Sequence, residues 1–131
     1  MATAVTVYDE ESVGGAKRSF VLHLASERLT VRDLIVRRVT HEVEEYNQTR
    51  TEHYAGLVQP TGAEVTLNGF RVRERRALDA DQQCAKALEA FGRNGFLLLV
   101  DERQMTELDE EVAVSSATRV RFLKLVPLVG G

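Results

Sequence analysis

The last thirteen residues of the sequence read RVRFLKLVPLVGG, from Arg119 to Gly131. We interpret residues 119–126 as a β-strand. Proline has no backbone N–H to donate to a β-ladder, so Pro127 predicts that the sheet ends there and that residues 127–131 project from it as a tail. This tail carries Gly130 and Gly131, two of the nine glycines in the sequence.

The N-terminal part of the sequence predicts a β-hairpin. Apolar residues alternate with polar ones over residues 3–8 and again over residues 18–25, which is the period of a half-buried strand. The stretch between them, 9–16, is polar and contains glycine, as suits a hairpin connection of more than two residues.

A helix is predicted after the hairpin. Thr30 and Asp33 have the spacing of a capping box, and the carboxylate of Asp33 suits the positive end of a helix. Apolar residues then recur at helical spacing and form one stripe, which we expect to lie on the sheet. This stripe consists of Val31, Leu34, Ile35, Val39, Val43 and Tyr46.

Residues 47–77 have no clear period, and two interpretations compete after Pro60. A capping-box spacing there favours a short helix that ends at the Asn-Gly pair 68–69. The same pair is also typical of a type I′ turn, which would join strands at 65–67 and 70–72. The sequence leaves both possibilities open, and we expect the helix by a narrow margin.

A second helix is predicted over residues 79–93, with Cys84 in its apolar stripe. Because the sequence places no histidine beside Cys84, we expect a core residue rather than a nucleophile. The apolar run 96–100 then predicts a central strand covered on both faces, and residues 101–105 are predicted to turn and pair back. Residues 107–111 predict an acidic surface turn.

Composition excludes several classes of function. The 131 residues carry 20 acidic and 17 basic side chains, for a net charge of −3, so a broad nucleic-acid-binding face is not expected. The basic cluster at 71–76 is interrupted by Glu74, and we interpret it as a solvated or protein-docking surface. A single cysteine, no targeting signal and no apolar stretch long enough for a membrane predict a cytoplasmic protein.

Taken together, the hairpin, the helix, the final strand and its Gly-Gly tail resemble the ubiquitin-like β-grasp superfamily. Residues 126–131 are similar in particular to the ends of prokaryotic sulfur carriers of the molybdopterin-synthase small-subunit type. The acidic turn fits the same pattern. The resemblance covers residues 3–46 and 96–131 and leaves 47–95 as an insertion, which is large for a short sulfur carrier. The chain therefore looks more like the bacterial ubiquitin-like modifiers, some of which serve antiviral defence.

The resemblance implies an α+β fold of β-grasp type, with a mixed sheet packed on a helix and an inserted helical segment, in one domain spanning 1–131. It also implies a reactive end. The carboxylate of Gly131 would be adenylated by an activating enzyme that uses ATP and magnesium, and Gly130 would give clearance because glycine lets the backbone approach closely. An apolar tail would enter the partner enzyme, and it consists of Leu125, Val126, Pro127, Leu128 and Val129.

Two functions share this first chemical step. A modifier would pass to a target protein, with a conjugating enzyme and a deconjugating protease as further partners, whereas a sulfur carrier would form a C-terminal thiocarboxylate for cofactor biosynthesis. The bulk of 47–95 favours the modifier and the Pro-Leu-Val-Gly-Gly ending favours the carrier. An ordinary interaction domain is a third possibility. We expect no bound cofactor, no metal, no nucleic acid, no membrane and no enzymatic activity of the chain itself, because no catalytic motif is present. With only three lysines, we expect single modification of targets rather than long chains.

Overall fold

The computed structural model describes residues 2–11, 17–66, 69–72 and 76–125. Over these residues the chain is α+β, with two helices, a mixed five-stranded sheet and two smaller sheets. The helices are α1 (Val31–Thr49) and α2 (Ala80–Gly92). The strands are β1 (Thr3–Glu11), β2 (Lys17–Leu24), β3 (Arg28–Thr30), β4 (His53–Tyr54), β5 (Glu64–Thr66), β6 (Gly69–Arg71), β7 (Phe96–Val100), β8 (Arg103–Met105), β9 (Glu111–Ala113) and β10 (Arg119–Lys124).

The chain divides into two compact units. The first unit consists of residues 1–34 and 91–131, and the second of residues 35–90. Most of the segment that the sequence predicted as an insertion thus belongs to the second unit. Among the described residues, none of the helices is long and apolar enough to cross a membrane.

The first unit contains the five-stranded sheet, in the order β2-β1-β10-β7-β8. The predicted N-terminal hairpin is confirmed, since β1 and β2 pair antiparallel. The last strand, β10, lies between β1, to which it is parallel, and β7, to which it is antiparallel. This arrangement encloses β10 on both sides, although β10 begins at Arg119, 108 positions after β1 ends at Glu11.

One face of this sheet forms the core of the first unit. Alternating residues of each strand are buried on it, and the rings of Phe91, Phe96 and Phe122 stack in sequence with centroid separations of 5.9 and 5.8 Å. The run 96–100 is a central strand, as predicted, but only one of its two faces is fully buried. Leu97 and Leu99 are only half-buried, because alternation turns them to the face opposite Phe96 and Leu98.

The predicted capping box begins α1. Asp33 N donates to Thr30 Oγ1 at 3.1 Å, and Thr30 N donates in return to Asp33 Oδ2 at 3.4 Å. The first two residues of the helix, Val31 and Arg32, have no partner for their N–H groups within the helix. These groups donate to the carbonyls of Glu110 and Leu108, respectively, at 2.9 Å each. The acidic turn 107–111 therefore satisfies backbone donors that a helix start leaves open. The six residues of the predicted apolar stripe are all buried.

The second unit contains a three-stranded sheet, β4-β6-β5, together with most of α1 and α2. The expected helix after Pro60 is wrong, because β5 and β6 pair as a hairpin with Thr66 opposite Gly69. Gly69 explains the outcome: its φ is 155°, and a Cβ there would lie 2.6 Å from the carbonyl oxygen of Tyr54 on the neighbouring strand. The predicted second helix is confirmed as α2, and its Cys84 is buried as expected.

Within the second unit, α1 carries a buried ion pair whose carboxylate also contacts residues outside the helix. Arg38 and Glu42 lie one helical turn apart, and Arg38 Nε donates to Glu42 Oε1. The second carboxylate oxygen, Oε2, accepts from Leu57 N at 2.9 Å and from the Tyr54 hydroxyl at 3.4 Å. Burial, and secondarily the charge of Glu42, raise the pKa of Tyr54 well above its ordinary value. Glu42 thus binds both Tyr54, at the end of β4, and Leu57, in the loop that follows it.

Candidate functional site

Of the predicted site residues, the structure describes Leu125. It lies directly after β10 and is 37% exposed. Val126, Pro127, Leu128, Val129, Gly130 and Gly131 lie outside the described residues. The strand ends at Lys124, three residues before Pro127.

Lys124, the last residue of β10, is the root of the predicted tail and lies at the end of a central strand of the sheet. Lys124 pairs with Glu11 at the end of β1 and with Phe96 at the start of β7. Ladder hydrogen bonds on both sides hold a central strand more firmly than an edge strand is held. Leu125, the last described residue, therefore follows directly on a strand that is held on both sides.

A half-exposed surface lies on the sheet beside this root. We call it the outer face, and it consists of Tyr8, Leu97, Leu99, Arg121 and Leu123. The register places Leu97 opposite Leu123, and Leu99 opposite Arg121, while Tyr8 lies on the other side of Arg121. Residues in direct register point to the same side of a sheet, so these five side chains share one surface. Its centre is apolar, with three leucines from two adjacent strands.

Charged groups hold the margin of the outer face in place. Arg121 donates from Nε to Glu10 Oε2 at 3.0 Å and from Nη1 to Glu102 Oε2 at 2.8 Å. The hydrogen bond to Glu10 is the main cause that raises the pKa of Arg121 above its ordinary value. On the next row, the Arg119 guanidinium lies over the Tyr8 ring, 5.1 Å from its centroid. Both arginines are therefore oriented by neighbours on the sheet itself.

A tight turn fixes the other end of β10. Asp101 and Glu102 connect β7 to β8 with φ values of 48° and 70°, as a type I′ turn requires at both central positions. Asp101 N donates to the carbonyl of Arg119, and Arg119 N donates to Asp101 Oδ1, each at 2.9 Å. Glu102 is thereby placed where it reaches Arg121.

This arrangement offers binding rather than a reacting group. Three leucines flanked by oriented arginines provide apolar contact with a charged margin, as protein-binding surfaces commonly do. Within the described ranges, no cluster of His, Cys, Asp and Glu side chains is placed to hold a metal ion. Burial raises the pKa of the Cys84 thiol, whose Sγ lies 3.6 Å from Thr40 Oγ1, so this cysteine is held in its less reactive protonated form.

The sequence predicts the tail as a site but gave no expectation of the outer face. One signal was available, since the leucines at 97 and 99 alternate with the buried residues of the run 96–100. The contacts of Arg121 had no such signal, because Glu10 lies 111 positions away in the sequence.

Comparison with known proteins does not assign the chain to a family. No family model, no curated protein and no solved structure matches it.

Proposed function

We propose that this chain is a ubiquitin-like modifier of β-grasp type that acts in the cytoplasm. In an activating enzyme, the Gly131 carboxylate attacks the α-phosphate of ATP, which forms the acyl adenylate and releases pyrophosphate. A partner cysteine then displaces AMP to form a thioester, and an amine or hydroxyl of a target protein displaces that cysteine. The observation that carries the proposal is the position of β10. A hairpin, a helix and a final strand inserted parallel to β1 in the middle of the sheet support the β-grasp assignment.

The physical argument concerns how the tail is presented. An activating enzyme must take the C-terminal carboxylate into a narrow active site, and it gains affinity if the tail starts from a rigid surface that the enzyme also binds. The fixed root at Lys124 and the adjacent outer face satisfy both needs. ATP and magnesium belong to the enzyme in this scheme, and the chain supplies the carboxylate.

The test is the intact mass of the protein after incubation with ATP, magnesium and its activating enzyme, in parallel without and with sulfide, which can displace AMP from the adenylated carboxylate. A covalent adduct to a second protein supports the modifier. Replacement of one oxygen by sulfur would instead establish the second candidate, a sulfur carrier, which the Pro-Leu-Val-Gly-Gly ending favours. An unchanged mass would leave an interaction domain. Deletion of Gly131 is expected to abolish either reaction, and a reaction that survives the deletion contradicts the proposed chemistry.

The role of the outer face is tested separately. We expect Leu99→Glu to raise the KM for the chain in adenylation at least ten-fold, because a charge replaces apolar contact at the centre of the surface. Ala113→Glu, at an exposed position of β9 in the two-stranded sheet, adds the same charge outside the outer face and is the matched control. Equal KM values for the two folded variants would show that the enzyme does not use this face.

A further inference from the structure

A second feature of the molecule lies in the second unit, at the turn 60–63. Ala63 N donates to the carbonyl of Pro60 at 3.1 Å, which closes a turn with Thr61 and Gly62 at its centre. Gly62 has a φ of 78°, the conformation that a type II turn requires at this position. Gln59 Nε2 braces the turn by donating to the carbonyl of Ala63 at 2.7 Å. Thr61 is exposed at the tip.

Two cationic side chains converge on Thr61 from different elements. Lys86, on α2, donates from Nζ to Thr61 Oγ1 at 2.5 Å and to the carbonyl of Gln59 at 3.3 Å. Arg76, which precedes α2, donates from Nη2 to the carbonyl of Thr61. Over the part of the chain that the structure describes, neither cation forms an ion pair with a carboxylate.

The N–H donors of Lys86 and Arg76 outnumber the oxygens that accept from them in the structure. A lysine ammonium has three N–H donors and an arginine guanidinium has five. The described contacts use two from Lys86 and one from Arg76, all with uncharged oxygens. Two positive charges lie beside one exposed hydroxyl, and several of their N–H groups are not used in the described contacts. This arrangement favours an anion that has several acceptor oxygens. A phosphate group has three or more such oxygens and a charge near −2.

We propose that Thr61, Arg76 and Lys86 form a binding site for a phosphate group. The Lys86 ammonium and the Arg76 guanidinium each donate to separate phosphate oxygens, and the Thr61 hydroxyl, released from Lys86, donates to a third. The turn supplies the geometry, since Gly62 directs the Thr61 carbonyl to Arg76 and leaves the hydroxyl on the side of Lys86. This site does not depend on the chemistry proposed for Gly131.

The test is a titration of the full chain with inorganic phosphate, followed by amide NMR shifts at constant ionic strength maintained with chloride. We expect saturable shifts confined to residues 59–63 and to the surroundings of Arg76 and Lys86. Lys86→Gln and Arg76→Gln are each expected to weaken binding about ten-fold, which corresponds to about 1.4 kcal/mol. Thr61→Val, which keeps both charges, should weaken it by a smaller factor.

Arg28→Gln is the matched control, because it removes one exposed positive charge from β3 in the first unit. If it weakens binding as much as Lys86→Gln does, the interaction is a general charge effect and the site is refuted. A phosphothreonine peptide titrated in parallel identifies the source of the phosphate. Tighter binding of the peptide supports a phosphate carried by a protein, tighter binding of inorganic phosphate supports a small molecule, and no saturable binding of either overturns the proposal.

Discussion

Replacing Glu42 by glutamine tests how far the stability of the chain depends on one buried carboxylate. Glu42 is 7% exposed and its partner Arg38 is fully buried. One carboxylate oxygen accepts from Arg38, and the other accepts from Leu57 N and the Tyr54 hydroxyl. A glutamine has a single acceptor oxygen and an NH₂ group, so it cannot serve both sets of donors. Removing one partner of a buried ion pair costs about 3–5 kcal/mol.

The measurement is urea unfolding followed by circular dichroism. With an m-value of about 2 kcal/mol per M, the midpoint is expected to fall by about 1.5–2.5 M. Glu44→Gln changes the same charge at an exposed position of the same helix, and such a surface change is expected to stay within about 0.5 kcal/mol. If the two variants unfold at the same urea concentration, the buried pair does not stabilise the fold and the reasoning fails.

A charge-free double variant separates the ion pair from packing. Replacing Arg38 by methionine and Glu42 by glutamine together removes both charges, while the glutamine oxygen can still accept from Leu57 N and the Tyr54 hydroxyl. Removing both charges of a buried pair costs much less than leaving one of them unpaired. We therefore expect the double variant to be more stable than Glu42→Gln alone, and a double variant less stable than the single one would contradict this.

Three further predictions concern the second unit and the end of α2. Because the pKa of Tyr54 is raised above its ordinary value of 10.0, first by burial, the unfolded chain loses this proton as the pH passes about 10 while the folded chain keeps it. The stabilisation is therefore complete below pH 10, and above it the free energy of unfolding falls by up to about 1.4 kcal/mol per pH unit. Unfolding measured at pH 9–11 checks this. Tyr54→Phe should remove this fall, whereas Tyr8→Phe should not. Cys84 is expected to react with a disulfide reagent at least ten-fold more slowly in the folded chain than in urea, since it is buried and its pKa is raised; similar rates in both conditions would show that the thiol is accessible. Gly56→Ala should destabilise the chain by about 1–3 kcal/mol in a thermal melt, because the new Cβ would lie 2.0 Å from Cζ of Tyr54. Gly92→Ala is the control and should be nearly neutral, since a Cβ there meets nothing within 4 Å. Equal losses of stability at the two positions would refute the explanation.

The elements that local signals specify were predicted well. The capping box of Thr30 and Asp33 placed the start of α1 at the correct residue, and the periodicity of α2 placed it within one residue at each end. Both signals act over three or four positions of the chain. The N-terminal hairpin was found for the same reason, since alternation along a strand needs no knowledge of its partner.

The middle of the chain could not be decided in this way. Around 61–69 a capping-box spacing and a turn-forming Asn-Gly pair are both present, and each is a sound local signal. The choice between them depended on β4, because Gly69 approaches the carbonyl of Tyr54 too closely for any larger residue. That contact joins residues 15 positions apart and is not visible in either motif.

The sequence alone determined the α+β class of the fold, its two helices and a strand that begins at Arg119. Those features depend on periodicity and capping, which are properties of neighbouring residues. Only the tertiary structure decided that β10 lies between β1 and β7, that three leucines share a surface with Arg121, and that Lys86 and Arg76 meet at Thr61. These arrangements depend on strand register and side-chain contacts across long stretches of chain, and local sequence preferences carry no information about them.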